Sequence, residues 1–229
     1  MSYIASNNLS RHYGTGNATV TAVEDINLSI ELGEFVAIMG ESGAGKSTLL
    51  SIMGAMNEPS TGRFLVDDID VYGLSQDKRA DFRREFLGFV FQSFHLMPYL
   101  TVAENVMLPL TALKISRQEK KEMALEALAN VGLEDKADRL PSQISGGEKE
   151  RVAIARAIVN RPPVILADEP TGNLDTSTSR EIMELLQELN RAGTTIVMVT
   201  HSHTCSRYAN RLITVSDGKI TDEKKTPIN

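Results

Sequence analysis

One stretch of this chain leaves few folds open. Phe35-Val-Ala-Ile-Met39 is a run of five apolar residues, the length and character of a strand buried on both faces. It leads directly into Gly40, Glu41, Ser42, Gly43, Ala44, Gly45, Lys46, Ser47 and Thr48, which fit G-x-x-x-x-G-K-[ST]. Beyond the loop, Leu49, Leu50, Ile52, Met53 and Met56 recur at helical spacing. Glycines let successive backbone N–H groups turn inward around the β- and γ-phosphates of a nucleotide, where a Cβ would intrude. The positive end of the following helix points at the same anion. Lys46 then supplies a cation, and the Ser47 hydroxyl is placed to ligate Mg²⁺. A glycine turn with an incidental lysine would match the spacing too, but not the strand before it and the helix after it.

A phosphate cradle alone leaves a second metal ligand and a hydrolytic base unassigned. Val164-Ile-Leu-Ala-Asp168-Glu169 offers both, an apolar strand carrying two consecutive carboxylates to its C-terminal edge. Adjacent strand residues point to opposite faces, so Asp168 is expected to face Mg²⁺ while Glu169 faces the γ-phosphate and the attacking water. Phosphoryl transfer needs that division between charge neutralisation and orientation of water.

Organisation along the chain follows from the same patterns. Thr195-Ile-Val-Met-Val199 is another buried-strand candidate, and Ile182, Met183, Leu185, Leu186 and Leu189 form an apolar helix face before it. Strand, helix, strand with short connections implies a parallel sheet with crossover helices. Tyr3–Arg11 and Val23–Ile30 are β-rich and separated by a polar stretch at 14–17, which reads as an antiparallel layer. Between about 100 and 160 the pattern is helical: Ser116 with Glu119 makes a capping box, and Gly132 suits a helix C-terminus. The expected architecture is α/β, a P-loop NTPase core of parallel sheet with flanking helices at about 1–90 and 161–220. An N-terminal antiparallel β layer and a helical subdomain at about 93–160 complete a single domain, with a frayed polar tail at 221–229. No period of twenty to fifty residues repeats, so one cassette is present.

Composition removes other classes. The net charge of −6 comes from 24 basic and 30 acidic residues mixed along the chain, without the basic cluster of a nucleic-acid binder. The single cysteine, Cys205, rules out an internal disulfide framework and fits a reducing cytosol. Met1 to Arg11 lacks a signal-peptide pattern, and no apolar run approaches the roughly 20 residues needed to cross a bilayer. Service to a membrane would therefore be as a peripheral subunit.

A second anion site is legible at Ile144, Ser145, Gly146, Gly147, Glu148 and Arg151. Ser145 and Glu148 read as a capping box opening a helix. The same serine hydroxyl and two glycine amides at a helix N-terminus can also receive an anion, here without a lysine. One chain then carries two phosphate-binding helix ends, and the simplest resolution is that the second serves a nucleotide held by a partner subunit.

With that motif the chain resembles the ABC ATPases, whose signature reads L-S-G-G-Q. The resemblance runs from about Tyr3 to Ile220 with the motifs in order, departing at Ile144 for leucine and Glu148 for glutamine, neither expected to abolish function. It implies further roles: Tyr13 stacking on adenine, Gln92 touching Mg²⁺ and water and sensing a membrane partner, Asn173-Leu174-Asp175 as the loop that crosses between subunits, and His201 contacting the γ-phosphate. Catalysis is thereby expected of Glu169, His201, Lys46 and Gln92, and metal binding of Ser47, Gln92 and Asp168. Nucleotide contacts are expected from Tyr13, the loop 40–48, Ser145–Glu148 and Asp175, with ATP and Mg²⁺ as cofactors. His203 and Cys205 read as ordinary helix-start residues.

Within the ABC ATPases, Gly88-Phe-Val-Phe-Gln92-Ser-Phe-His-Leu96-Met-Pro98, Thr101-Val-Ala-Glu-Asn-Val106-Met-Leu-Pro109-Leu and Ala167-Asp-Glu-Pro-Thr-Gly-Asn-Leu-Asp175 most resemble the subfamily serving FtsX-like permeases, such as lipoprotein-release and MacB-type ATPases. The resemblance implies an ATP-driven homodimer at the cytoplasmic face of the inner membrane, acting on a separate permease that extracts or expels a hydrophobic cargo. An FtsE-like regulator that signals through a permease-like partner without moving cargo is the alternative. ABC ATPases of DNA repair or translation carry a long coiled coil or two cassettes, and neither feature is present. The apolar stretch from Phe91 to Leu100 reads equally as packing between core and helical region or as a groove for a permease helix.

Overall fold

The computed structural model describes residues 2–14 and 19–225, so most of the polar stretch at 14–17 lies outside the described residues. The first strands, β1 (Ile4–Tyr13) and β2 (Val20–Ile30), pair antiparallel with Ile4 opposite Ile30. The core begins with β3 (Phe35–Met39) and α1 (Lys46–Met53). The chain then returns to the outer layer with β4 (Thr61–Val66) and β5 (Ile69–Asp70), giving a four-stranded antiparallel sheet in the order β2-β1-β4-β5.

Next come α2 (Gln76–Phe86) and β6 (Leu87–Phe91), then a helical region of α3 (Val102–Met107), α4 (Arg117–Ala129) and α5 (Gly146–Ile158). The chain re-enters the core with β7 (Val164–Asp168), α6 (Thr176–Arg191), β8 (Thr195–Val199), α7 (His203–Ser206), β9 (Arg211–Ser216) and β10 (Lys219–Lys225). The second sheet is ordered β10-β9-β3-β8-β7-β6, parallel throughout except for β10.

Both faces of this sheet are covered, which explains its continuous apolar strands. Phe35, Ala37, Ile165, Ala167, Ile196 and Met198 pack with the helical region and α6. Their alternates Val36, Ile38, Val164, Leu166, Val197 and Val199 pack with α1 and the antiparallel layer. The period of two along each strand thus divides one sheet between two cores.

Two expectations need correction. The polar tail is not frayed from 221: β10 continues to Lys225, with Glu223 opposite Ile213 and paired to Arg211 at 2.7 Å. Charges on both faces of Lys219–Lys225 hide the strand, and they are what an exposed sheet edge carries to deter further pairing. The direction of Glu169 is also not set by strand alternation. The strand ends at Asp168, and Glu169 sits in the left-handed region at φ 50°. The helix α2 gives little sequence signal because Phe82 is its one buried residue.

Candidate functional site

Register gathers the site. Ile38 pairs with Val199, Val199 with Asp168, and Asp168 with Phe91, so four adjacent parallel strands end in one row. Beyond those ends come, in turn, the loop from Gly40, His201 after Thr200, Glu169, and Gln92. Carboxyl ends of strands in an open α/β sheet are where such folds place ligands. A cleft of about 370 Å³ opens there, lined by Ser42, Gly43, Gly45, Lys46, Ser47, Thr48, Gln92, Asp168, Glu169 and His201, together with Ala22 from β2.

The loop is built for an anion. Helices α2 to α7 all carry a side-chain N-cap, whereas α1 begins at Gly45 with none. Its first-turn amides lack the side-chain acceptor that the other helices supply. Gly45 is left-handed at φ 100°, and a Cβ there would lie 2.1 Å from the Ala22 carbonyl oxygen. Lys46 is buried at 8% exposure, and its ammonium donates to the carbonyls of Gly40 and Glu41 at 2.8 and 2.7 Å. A buried cation held by neutral carbonyls and aimed along an uncapped helix end fits a polyphosphate.

The metal side is equally specific. The Ser47 hydroxyl donates to Asp168 Oδ1 at 3.4 Å. Burial, then the neighbouring charge of Glu169, pushes the Asp168 carboxyl above its usual range, against smaller pulls from Ser47 and Lys46. Among the described residues no group of three His, Cys, Asp or Glu could hold a metal. A hydroxyl, one carboxylate and the Gln92 amide suit Mg²⁺, which takes few protein ligands and completes its shell with water and phosphate oxygens.

Beside this pair, His201 Nδ1 lies 2.8 Å from Glu169 Oε2, and the His201 backbone N–H donates to the same oxygen at 3.4 Å. The Glu169 backbone N–H is tied to the Val199 carbonyl at 2.9 Å. One carboxylate oxygen is therefore held by His201, two residues beyond the end of β8.

The remaining sequence candidates lie elsewhere. Tyr13 ends β1 with 39% of its surface exposed and the Arg11 guanidinium 4.7 Å from its ring centroid. The capping box of α5 forms: Ser145 Oγ accepts from the Glu148 N–H at 3.2 Å, and Glu148 accepts from the Ser145 N–H at 2.7 Å. That backbone hydrogen bond holds the Glu148 carboxyl below its usual range. The Ser145 side chain adds a smaller pull on the same carboxyl, whereas the Gly146 and Gly147 amides take no part in the box. A Cβ on Gly147 would lie 2.5 Å from Thr178, so α5 starts directly against the start of α6.

Asp175 caps α6, its carboxylate accepting four hydrogen bonds from Ser177 and Thr178, which hold it well below the usual carboxylate range. Gly40, Glu41 and Ala44 shape the loop without lining the cleft, and none of Tyr13, Ser145–Glu148 and Asp175 lines it either. Ala22 is the lining residue that sequence reasoning missed, since an alanine in an outer strand carries no signal. His203 and Cys205 do open the short α7, and Cys205 Sγ lies 3.2 Å from Thr171 Oγ1.

The family model for ABC transporters matches residues 23–172. The ABC transporter ATP-binding protein YvrO of Bacillus subtilis is 45% identical over 97% of both chains. The macrolide export ATP-binding/permease protein MacB of Burkholderia pseudomallei is 44% identical over 96% of this chain, which spans only 34% of MacB. The ATP-binding cassette MJ0796 of Methanocaldococcus jannaschii, solved as a dimer in a post-hydrolysis state bound to ADP and Pi, superposes with a TM-score of 0.88 at 44% identity, covering 97% of this chain and 98% of that one. With the uncapped helix of the loop, the carboxylate pair and the signature helix already in place, the conclusion is that this chain belongs to the ABC transporter ATP-binding family and is an ABC-type ATPase.

Proposed function

We propose that the chain is the ATP-hydrolysing subunit of a transporter. Two subunits would close around two ATP molecules, each held by the cleft of one subunit and the α5 start of the other. The observation that carries this is the pair of helix ends: α1 opens uncapped into the cleft, while α5, with its free glycine amides, lies outside it. A second copy is the simplest source of the missing wall, and two solved structures of MJ0796 are dimeric.

In this reading Lys46 and the amides of the loop bind the phosphates, and Ser47, Asp168 and Gln92 hold Mg²⁺. The metal supplies charge neutralisation at the phosphate oxygens. Glu169, steadied by His201 at one oxygen, orients water and takes its proton at the other. Tyr13 stacks on the base, its opposite face backed by Arg11. No residue is assigned to read the purine edge, so GTP is expected to support hydrolysis within about tenfold of ATP, equivalent to about 1.4 kcal/mol of lost contact. A preference of a thousandfold in kcat/KM would reveal a hydrogen-bonded base pocket.

The finer reading is a peripheral subunit at the cytoplasmic face of the membrane, driving an FtsX-like permease that moves a hydrophobic cargo. It is supported by the likeness to MacB, in which ATP-binding and permease parts share a chain. Among the described residues, no helix is long and apolar enough to cross a membrane. The stretch after β6 divides between its two readings: Leu96 packs on the core, whereas Tyr99 is 92% and Met97 47% exposed. Phe89 and Phe91 also line a cleft of about 490 Å³ with Met56, Pro109 and Ala112, suited to an apolar permease helix.

The test is co-reconstitution with an FtsX-like permease encoded beside the gene. Tyr99→Glu should keep basal turnover within about twofold. It should weaken permease binding by roughly 30-fold, the equivalent of a 2 kcal/mol anchor, and remove stimulation. Unchanged binding and stimulation in a variant with unaltered melting would move the docking surface elsewhere.

A further inference from the structure

We propose that Arg156 is a positioning residue for Gln92, and that through it the signature helix of one site sets the geometry of hydrolysis in the other. The inference rests on the reading of Gln92 given above. Arg156 lies in the last turn of α5, and its two terminal nitrogens donate to consecutive carbonyls, Phe94 and His95, each at 2.6 Å. A planar guanidinium fork suits two adjacent acceptors, where a lysine offers one point charge.

The turn it grips is strained. Phe94 and His95 are both left-handed, at φ 59° and 48°, a conformation that costs energy for residues with a Cβ and persists where surrounding contacts enforce it. Phe94 N–H closes the turn onto the Phe91 carbonyl at 3.0 Å, and the His95 ring packs 4.9 Å from the Phe91 ring. Gln92 and Ser93 are the residues inside this turn. The Gln92 carbonyl accepts from Asn173 Nδ2 at 2.7 Å, so the backbone of the loop is pinned at both ends, once from the segment before α6 and once from α5.

The helix gives the clamp its reach. Ser145 caps the N-terminus of α5 and Arg156 sits eleven residues on, about 16 Å along the axis at helical rise. One end of a rigid rod faces the partner's nucleotide in the proposed dimer, and the other holds the loop that carries Gln92 into its own cleft. The helix α5 packs along its length against α3, α4, α6 and β6. Arg156 has one acidic neighbour exerting a charge effect on it, the buried Glu150 of the same helix, so the carbonyls supply its fixed partners.

The experiment compares variants in a Glu150→Gln background, so that removing the arginine leaves no buried carboxylate unbalanced. Arg156→Gln should lower kcat by about 10- to 100-fold, with KM for Mg-ATP within twofold and hydrogen exchange accelerated at the amides of Phe94 and His95. Arg156→Lys should recover part of the rate. Adding Gln92→Ala to Arg156→Gln should cost nothing further, because both act through one group. Unchanged kcat, a loss confined to KM, or losses from Arg156→Gln and Gln92→Ala that multiply would each overturn the assignment. Gln92→Ala alone leaving hydrolysis intact would overturn the reading of Gln92, and this inference with it.

Discussion

Replacing Glu169 with Gln should lower ATP turnover by about 10² to 10⁴-fold, the range for losing a positioned general base, while Mg-ATP binding survives. The amide keeps the shape and one acceptor oxygen for His201 but cannot take a proton from water. Blocking hydrolysis after binding should trap the closed dimer, so the 25.1 kDa subunit should double in mass by light scattering only when Mg-ATP is present. Adding Ser145→Arg should return the monomer, because a long cation then stands where the partner's phosphate must approach. That change also removes the α5 cap, worth about 1 kcal/mol, so nucleotide binding at Lys46 is the control for an intact fold. A mass that stays monomeric in saturating Mg-ATP would contradict the shared-site reading.

Glu150→Gln should stabilise the protein, increasingly so as pH rises. Glu150 is 1% exposed on α5, and among the described residues its Oε1 has no hydrogen-bond partner. Burial pushes its carboxyl up to about 8, against a smaller opposing pull from Arg156. The unfolded chain releases this proton near 4.5, so between those values the folded state binds more protons than the unfolded one. Stability is therefore full below the unfolded value and is lost as pH rises toward 8. At about 1.4 kcal/mol per pH unit, the loss between pH 5 and pH 8 is on the order of 4 kcal/mol.

An amide does not titrate, so the variant should melt about 10 °C above the parent at pH 8. The difference should shrink toward pH 5. Any constant cost of burying the amide cancels in that comparison. An equal difference in melting temperature at both pH values would show that Glu150 keeps an ordinary ionisation in the folded state.

How much of this was legible beforehand depends on the range of the interaction. Phe35–Met39 and Val164–Asp168 are buried strands on composition alone, because a sheet covered on both faces needs unbroken apolar runs. The boxes at Ser116 and Ser145 form as their spacing requires, since a capping box is closed within four residues. The loop from Gly40 to Thr48 and the order of the motifs are likewise local, which is why the sequence already implied the family and the chemistry. Nothing local distinguishes β10, whose charged residues become a strand by pairing with β9.

The tertiary structure decided everything that joins residues far apart in the chain. Strand register, not spacing, sets Phe91, Asp168 and Val199 in one row. Glu169 is aimed by a left-handed residue tied to Val199, whereas alternation along β7 would have been the local rule. Ala22 enters the cleft only because β2 packs over Gly45, and Arg156 finds its carbonyl partners 61 and 62 residues earlier in the chain. Composition fixes which segments must be buried and which ends can bind an anion. Which of those ends meet is settled by how two cores share one sheet, and that depends on packing across the whole chain.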